Sequence, residues 1–209
     1  RSLMASPRQI AYPGIKLQES GHGTLDIVMY GGIIASAGAG IQRARTEIYR
    51  WNGTSFALFE TRYDPSNFLY FKVVDANALL ADKKYAEAIP LYQEAIDNPQ
   101  LAESGFPHPT ERADLQAFSR FRIIVAYALL GDITKAQAAR DDLHKQQPDH
   151  IYAQVADKFW SADQLQKSVA AGCLAVTTFA RATQSVPEVL NGFGYANPDF
   201  KAEDVCPFN

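Results

Sequence analysis

The spacing of apolar residues changes period along the chain. Leu25 to Tyr30 is β-branched and apolar, while Arg45 to Trp51 and Ser55 to Tyr63 alternate between apolar and polar, the period of a strand with one covered face. Asn52-Gly53 separates the last two runs and is the strongest short hairpin signal available to a sequence. These features predict a meander of three antiparallel strands over residues 24–63. Before it lies a lead-in punctuated by Pro7, Pro13, Gly14, Gly21 and Gly23, with one short strand near Ile15 to Glu19. Asp64-Pro65-Ser66 then turns the chain into helices, with Ser66 or Asn67 as the expected cap.

Beyond this turn the period becomes 3.6. Tyr85, Ala88, Ile89, Tyr92, Ala95 and Ile96 fall at i, i+3, i+4, i+7, i+10 and i+11, one stripe of an amphipathic helix that must pack on a neighbour. A first helical hairpin is therefore predicted over residues 74–99, and a second around the Gly131-Asp132 turn, closing at Pro148. Thr110 caps a long helix through Leu130, whose Phe118, Phe121, Ile124, Val125 and Leu129 leave it apolar on more than one face. Such a helix is expected at the centre of the core. A third pair, Ile151 to Ser161 and Ala162 to Ala182, carries Val155, Phe159, Leu165, Val169, Cys173 and Val176 and is expected to cap the stack. The tail from Pro187 reads as extended. The fold class is α+β, a small antiparallel meander followed by an α-helical hairpin array, divided at residues 1–66, 67–186 and 187–209.

The two hairpins resemble the tetratricopeptide repeat. Ala76, Leu79, Tyr85, Ala88, Tyr92, Ala95 and Pro99 stand at the signature positions of one unit, and Tyr127, Gly131, Asp132, Ala136, Leu143 and Pro148 at those of the next. Ala88 and Ala136 occupy the same motif position 48 residues apart, against a family period of about 34, so an insertion over residues 100–110 separates the units. Pro90 is a second departure, expected to kink its helix slightly. The resemblance implies a concave face for a protein or peptide partner, with Val73, Asn77, Ala81, Phe121, Val125 and Ala128 at its lining positions. Of these, Asn77 alone matches the polar residues that clamp a peptide terminus in the family. The candidate groove is therefore Asn77, Phe121 and Val125, a largely apolar surface that the chain's own sheet or last helices could equally fill.

Composition narrows the function classes. The chain has 209 residues, 47% hydrophobic and 21% charged, which fits an ordinary globular protein and excludes global disorder. A net charge of -3 without a basic, aromatic-interleaved patch argues against nucleic acid. No apolar run approaches the roughly 20 residues of a membrane span. The sequence opens at Arg1 without an initiator Met or signal peptide, as expected of a mature or partial chain whose export signal or lipid anchor precedes it.

Two cysteines, Cys173 and Cys206, belong to no metal pattern, and a disulfide pinning the tail to the last helix is the expected pairing, implying an oxidising compartment. His22, His108, His144 and His150 lack metal spacing, so neither a metal nor another cofactor is expected. The glycine-rich stretch from Gly31 to Arg43 lacks the Lys-Ser/Thr ending of a phosphate loop and is read as a loop or bulged strand, with a ligand loop as the rival. Asp141-Asp142 and Glu203-Asp204 read as solvated pairs, and no catalytic residue is assigned. The expected function is a non-enzymatic binding or scaffolding module of an exported bacterial protein. The rivals are a structural part of a larger β-containing protein and a hydrolase-type enzyme with its site at the connector around His108.

Overall fold

The computed structural model describes residues 10–208 apart from positions 12, 22, 35, 106 and 107, and leaves the side chain of Leu165 undescribed. His22 and the lead-in up to residue 9 therefore lie outside the described residues. The chain forms two compact units, Arg1–Ser66 with Gly194–Asn197, and Asn67–Phe193 with Pro198–Asn209.

The first unit is an antiparallel sheet of four strands in chain order: β1 Gly14–Glu19, β2 Leu25–Gly31, β3 Arg45–Trp51 and β4 Phe56–Tyr63. The meander thus has one strand more than the alternation predicts, because β1 pairs with β2 in register, Ile15 opposite Met29 and Leu17 opposite Ile27. Its hairpin with β2 needs Gly21 and Gly23, both at positive φ. At the β3–β4 turn the Asn52 side chain accepts from the backbone N–H groups of Thr54 and Ser55, each at 3.0 Å, while Gly53 takes a φ of 101°. Ile10, Met29 and Tyr49 form the buried centre of one face, with Ile27 and Phe56 packed against it. On the other face, Asp26 is buried and bound by Arg50 through two nitrogens, at 3.0 and 2.7 Å.

The glycine-rich stretch is structural. Backbone N–H groups of Tyr195 and Ala196 donate to the carbonyls of Gly38 and Ala39, and Asn197 Nδ2 donates to that of Ile41. A Cβ on Gly194 would stand 2.3 Å from the Ala39 oxygen, so no other residue fits this approach.

The second unit contains α1 Leu69–Ala81, α2 Tyr85–Asp97, α3 Glu111–Leu129, α4 Ile133–Gln146, α5 Ile151–Gln166, α6 Val169–Ala182 and the one-turn α7 Ser185–Glu188. Helices α1 to α4 form two successive hairpins, α3 packing against both α2 and α4, and α5 pairs with α6. The chain is accordingly α+β. Neither Ser66 nor Asn67 caps α1. The cap position is Phe68, and the N–H of Leu69 is satisfied instead by the Ala102 carbonyl at 2.9 Å, so the connector's backbone does the work of a capping side chain. Helix α2 runs through Pro90, which stands beyond its first turn.

The boundary between α5 and α6 falls later than predicted. Helix α5 continues past Ser161 to Gln166, Lys167 takes a left-handed φ of 48°, and Ser168 caps α6 by accepting from the Ala171 N–H. Leu165 accordingly belongs to α5. The tail is also more structured than an extended strand. Besides α7 it holds a 3-10 turn at Ala202–Asp204, and the Asn191 side chain closes a loop by pairing with both backbone groups of Phe200.

The core centres on α3, where Leu115, Phe118, Phe121, Ile124 and Val125 are all fully buried. Phe118 and Phe121 meet Tyr152 of α5 at centroid distances of 5.5 and 5.7 Å, and Phe121 meets Phe159 at 6.0 Å. A disulfide joins Cys173 on α6 to Cys206, both buried, so the tail is fastened to the last long helix.

Candidate binding groove

The resemblance places Asn77, Phe121 and Val125 along one open face, and the structure places them elsewhere. Phe121 and Val125 are fully covered by the chain's own helices. Asn77 is half-buried, and its Oδ1 accepts a 2.6 Å hydrogen bond from the hydroxyl of Tyr92 on α2. These three residues thus serve the packing of α1, α2, α3 and α5. The alternative recognised from sequence, a face filled by the last helices, is the arrangement present.

An open groove lies instead across α2, α3 and α4. Its lining follows helical spacing on each element: Gln93, Ile96 and Asp97 on α2, Arg120, Ile123 and Tyr127 on α3, and Lys135, Ala138, Ala139, Asp142 and Gln146 on α4. Each set recurs at i, i+3, i+4 or i+7, so each helix presents one face to the same space. The space amounts to about 370 Å³. Alanines at 138 and 139 keep the α4 wall low, and Ile96 and Ile123 supply an apolar floor that is almost fully covered.

The rim carries both signs of charge. Arg120 donates to Asp142 Oδ2 at 3.1 Å and to Gln147 Oε1 at 2.9 Å, bridging α3 to α4. The Lys135 ammonium pairs with Asp132 at 2.8 Å and lies 5.6 Å from the Tyr127 ring centroid. Gln93 donates to Asp97 at 2.7 Å. The bond to Asp132 raises the Lys135 pKa, and its counterpart from Lys135 lowers that of Asp132, so both stay charged. Chemically, the groove offers a mixed lining, in which anchored charges and amides stand beside the Tyr127 ring and the alanines of α4 over covered isoleucines.

A second cleft, about 380 Å³, borders the connector and is lined by His108, Thr110, Asp114, Ile151, Ser185, Glu188 and Val189 among others. Thr110 stands at the cap position of α3, yet its hydroxyl donates to Asp114 Oδ2 at 2.6 Å instead of accepting from the helix. His150 caps α5 by accepting the Tyr152 N–H at Nδ1, which puts the ring proton on Nε2, where it meets Asp114 Oδ1 at 2.8 Å. Burial pushes the Asp114 pKa up, but hydrogen bonds from His150 and Thr110 and the charges of His150 and His108 outweigh it and hold the carboxyl below its ordinary value. His108 stacks on Phe193 at 5.4 Å, with Nδ1 3.6 Å from Asp114, beyond hydrogen-bond length. Asp114 therefore acts as a clamp between the first turns of α3 and α5. The connector is held in the same manner: the buried Glu111 carboxylate accepts from the Ser104 backbone and hydroxyl, and Arg112 donates to the Leu101 carbonyl.

The chain matches no family model, no curated protein and no solved structure. Its site must be argued from geometry alone. Among the described residues no group of three or more His, Cys, Asp or Glu could hold a metal ion, and no helix is long and apolar enough to cross a membrane. Among the residues singled out by sequence, the two cysteines meet. His144 joins Arg140 on Asp157, tying α4 to α5, while His108 and His150 converge on Asp114. Sequence reasoning missed the groove of α2, α3 and α4. A signal is present in Ile123 and Tyr127, four residues apart on a second face of α3.

Proposed function

We propose that the chain is a binding module of an exported protein, built as a tetratricopeptide-like helical array, that takes a peptide segment of a partner protein into the groove across α2, α3 and α4. The observation that carries this reading is the open space of about 370 Å³ across α2, α3 and α4, bounded by the small Ala138 and Ala139 and by the charged Arg120, Lys135 and Asp142. A groove of this size accepts one or two bulky apolar side chains, and its mixed rim suits a segment bearing both charges on either side of them. The hairpin order of α1 to α4, with Ala88 and Ala136 buried at equivalent motif positions, supports the family resemblance. The disulfide supports an oxidising, extracytoplasmic setting.

The test is a peptide-library selection on the purified protein, with Ala138→Trp as the counter-selection, since a tryptophan there fills the groove from an exposed position. Enriched peptides should carry a bulky apolar residue flanked by charges and lose at least about tenfold in affinity for the variant, equivalent to about 1.4 kcal/mol. Peptides that bind both proteins equally would overturn the assignment.

The structural role in a larger β assembly has its own supporting observation. Strand β1 is an edge strand exposed along its whole length, with Ile15 and Leu17 both more than half exposed. Edge strands of this kind are templates for further pairing. This second reading concerns the sheet alone and leaves the groove available.

A further inference from the structure

Arg122 is a buried cation that nothing above uses. It lies on α3 with 3% of its surface exposed, and its Nη2 donates to the Asp204 backbone carbonyl at 3.1 Å. Nε and Nη1 are buried with no hydrogen-bond partner. No carboxylate reaches salt-bridge distance among the described residues, and the Asp204 carboxylate is engaged by the Lys201 N–H at 2.8 Å. The neighbours are aromatic: the guanidinium carbon lies 5.0 Å from the Phe118 ring centroid and 5.6 Å from that of Phe208. A second orphan donor lies on α1. Tyr92, which feels the charge of Arg122, donates to Asn77 Oδ1, leaving Asn77 Nδ2 buried without an acceptor. Burial raises the Tyr92 pKa far above its ordinary value, so the phenol stays protonated and cannot neutralise the arginine.

Burial lowers the Arg122 pKa although Tyr92, Tyr152 and Asp204 act to raise it, and a desolvated guanidinium with two unpaired donors is costly to fold. We propose that Arg122 is the centre of an internal site for a small monovalent anion, with Arg122 Nε and Nη1 as donors. The site lies under the tail, since Asp204 and Phe208 cover the guanidinium and Cys206 is fastened to Cys173. The enclosed position of the guanidinium, 3% exposed, favours a small ion, chloride or formate, over a phosphate ester or a peptide terminus. The ion acts as a structural cofactor that holds the tail on α3, independently of the groove.

The test has two parts. Melting temperature is measured at constant ionic strength while a large organic anion is replaced stepwise by chloride, formate or phosphate, in wild type, Arg122→Met and the surface control Arg62→Met, whose side chain is 64% exposed. Chloride or formate should raise the wild-type and control melting temperature saturably, by on the order of 5 °C at a hundredfold excess over Kd, and leave Arg122→Met unmoved. Phosphate should act weakly. If Arg122→Met fails to fold, bromide-soaked crystals of the wild type decide: an anomalous peak within hydrogen-bond reach of Arg122 Nε or Nη1 supports the site. Bromide found only at surface positions, an adventitious ion only, or identical anion responses in wild type and Arg122→Met, would overturn it.

Discussion

The helical unit and the sheet unit treat their apolar residues differently. In the helical unit the periodic stripe of α3 is covered on the side facing α5, where Phe118 and Phe121 are enclosed by Tyr152 and Phe159. In the sheet unit an equally regular alternation leaves Ile15 at 64% and Leu17 at 63% exposure. Periodicity therefore defines which residues share a face, while the fate of that face depends on what the rest of the chain brings to it. Helix α3 shows both outcomes on one element, since its Ile123 and Tyr127 side forms the floor of an open groove.

The largest expected effect separates the covered face from the exposed one. Phe121→Ala should cost about 3 to 5 kcal/mol, the range for a large core aromatic, whereas Leu17→Ala on the sheet should stay within about 0.5 kcal/mol. Denaturant midpoints of the two variants measure the contrast, and similar shifts would erase the distinction. Removing the disulfide with Cys173→Ala and Cys206→Ala comes next. The bond joins residues 33 positions apart, and in the chain-entropy model its loss costs roughly 3 to 4 kcal/mol. Thiol titration of the denatured, unreduced wild type should return no free thiol.

A smaller effect sharpens the role of the connector clamp. The folded pKa of Asp114 lies below its ordinary value, so its contribution to stability is present above the unfolded carboxylate pKa of about 4 and is lost as pH falls through the folded value. Asp114→Asn should therefore destabilise by about 1 to 2 kcal/mol near neutral pH, with the gap to wild type closing as pH falls below about 4. A constant gap from pH 7 to pH 3 would assign the effect to lost packing instead of the charged hydrogen bonds. The smallest stability change belongs to the groove. Ala138→Trp, at an exposed position, should move the melting temperature little while abolishing peptide binding.

Much of this contrast was legible in the chain. The strand at Arg45–Trp51, the Asn52-Gly53 turn, the central position of α3 and the cysteine pairing follow from local signals that the tertiary structure reinforces. Other features depended on partners distant in sequence. The α1 cap comes from the Ala102 backbone, and the α5–α6 break falls at Lys167, a residue type with no preference for left-handed backbone. Ser161 offered the same capping side chain as Ser168, and sequence alone could not choose between them. The groove was hidden for a related reason. Ile123 and Tyr127 declare an apolar face, but only the small residues at 138 and 139, placed opposite by the α3–α4 hairpin, leave an open space beside it.

The central claim is that this open groove is where a partner docks. Amide chemical-shift mapping by NMR, with a peptide selected on the wild-type protein, tests it most directly. The account predicts perturbations concentrated at Gln93, Asp97, Ile123, Tyr127, Lys135, Ala138 and Gln146, saturating with the binding isotherm. Shifts confined to strands β1 and β4, with none along α2 and α4, would contradict it.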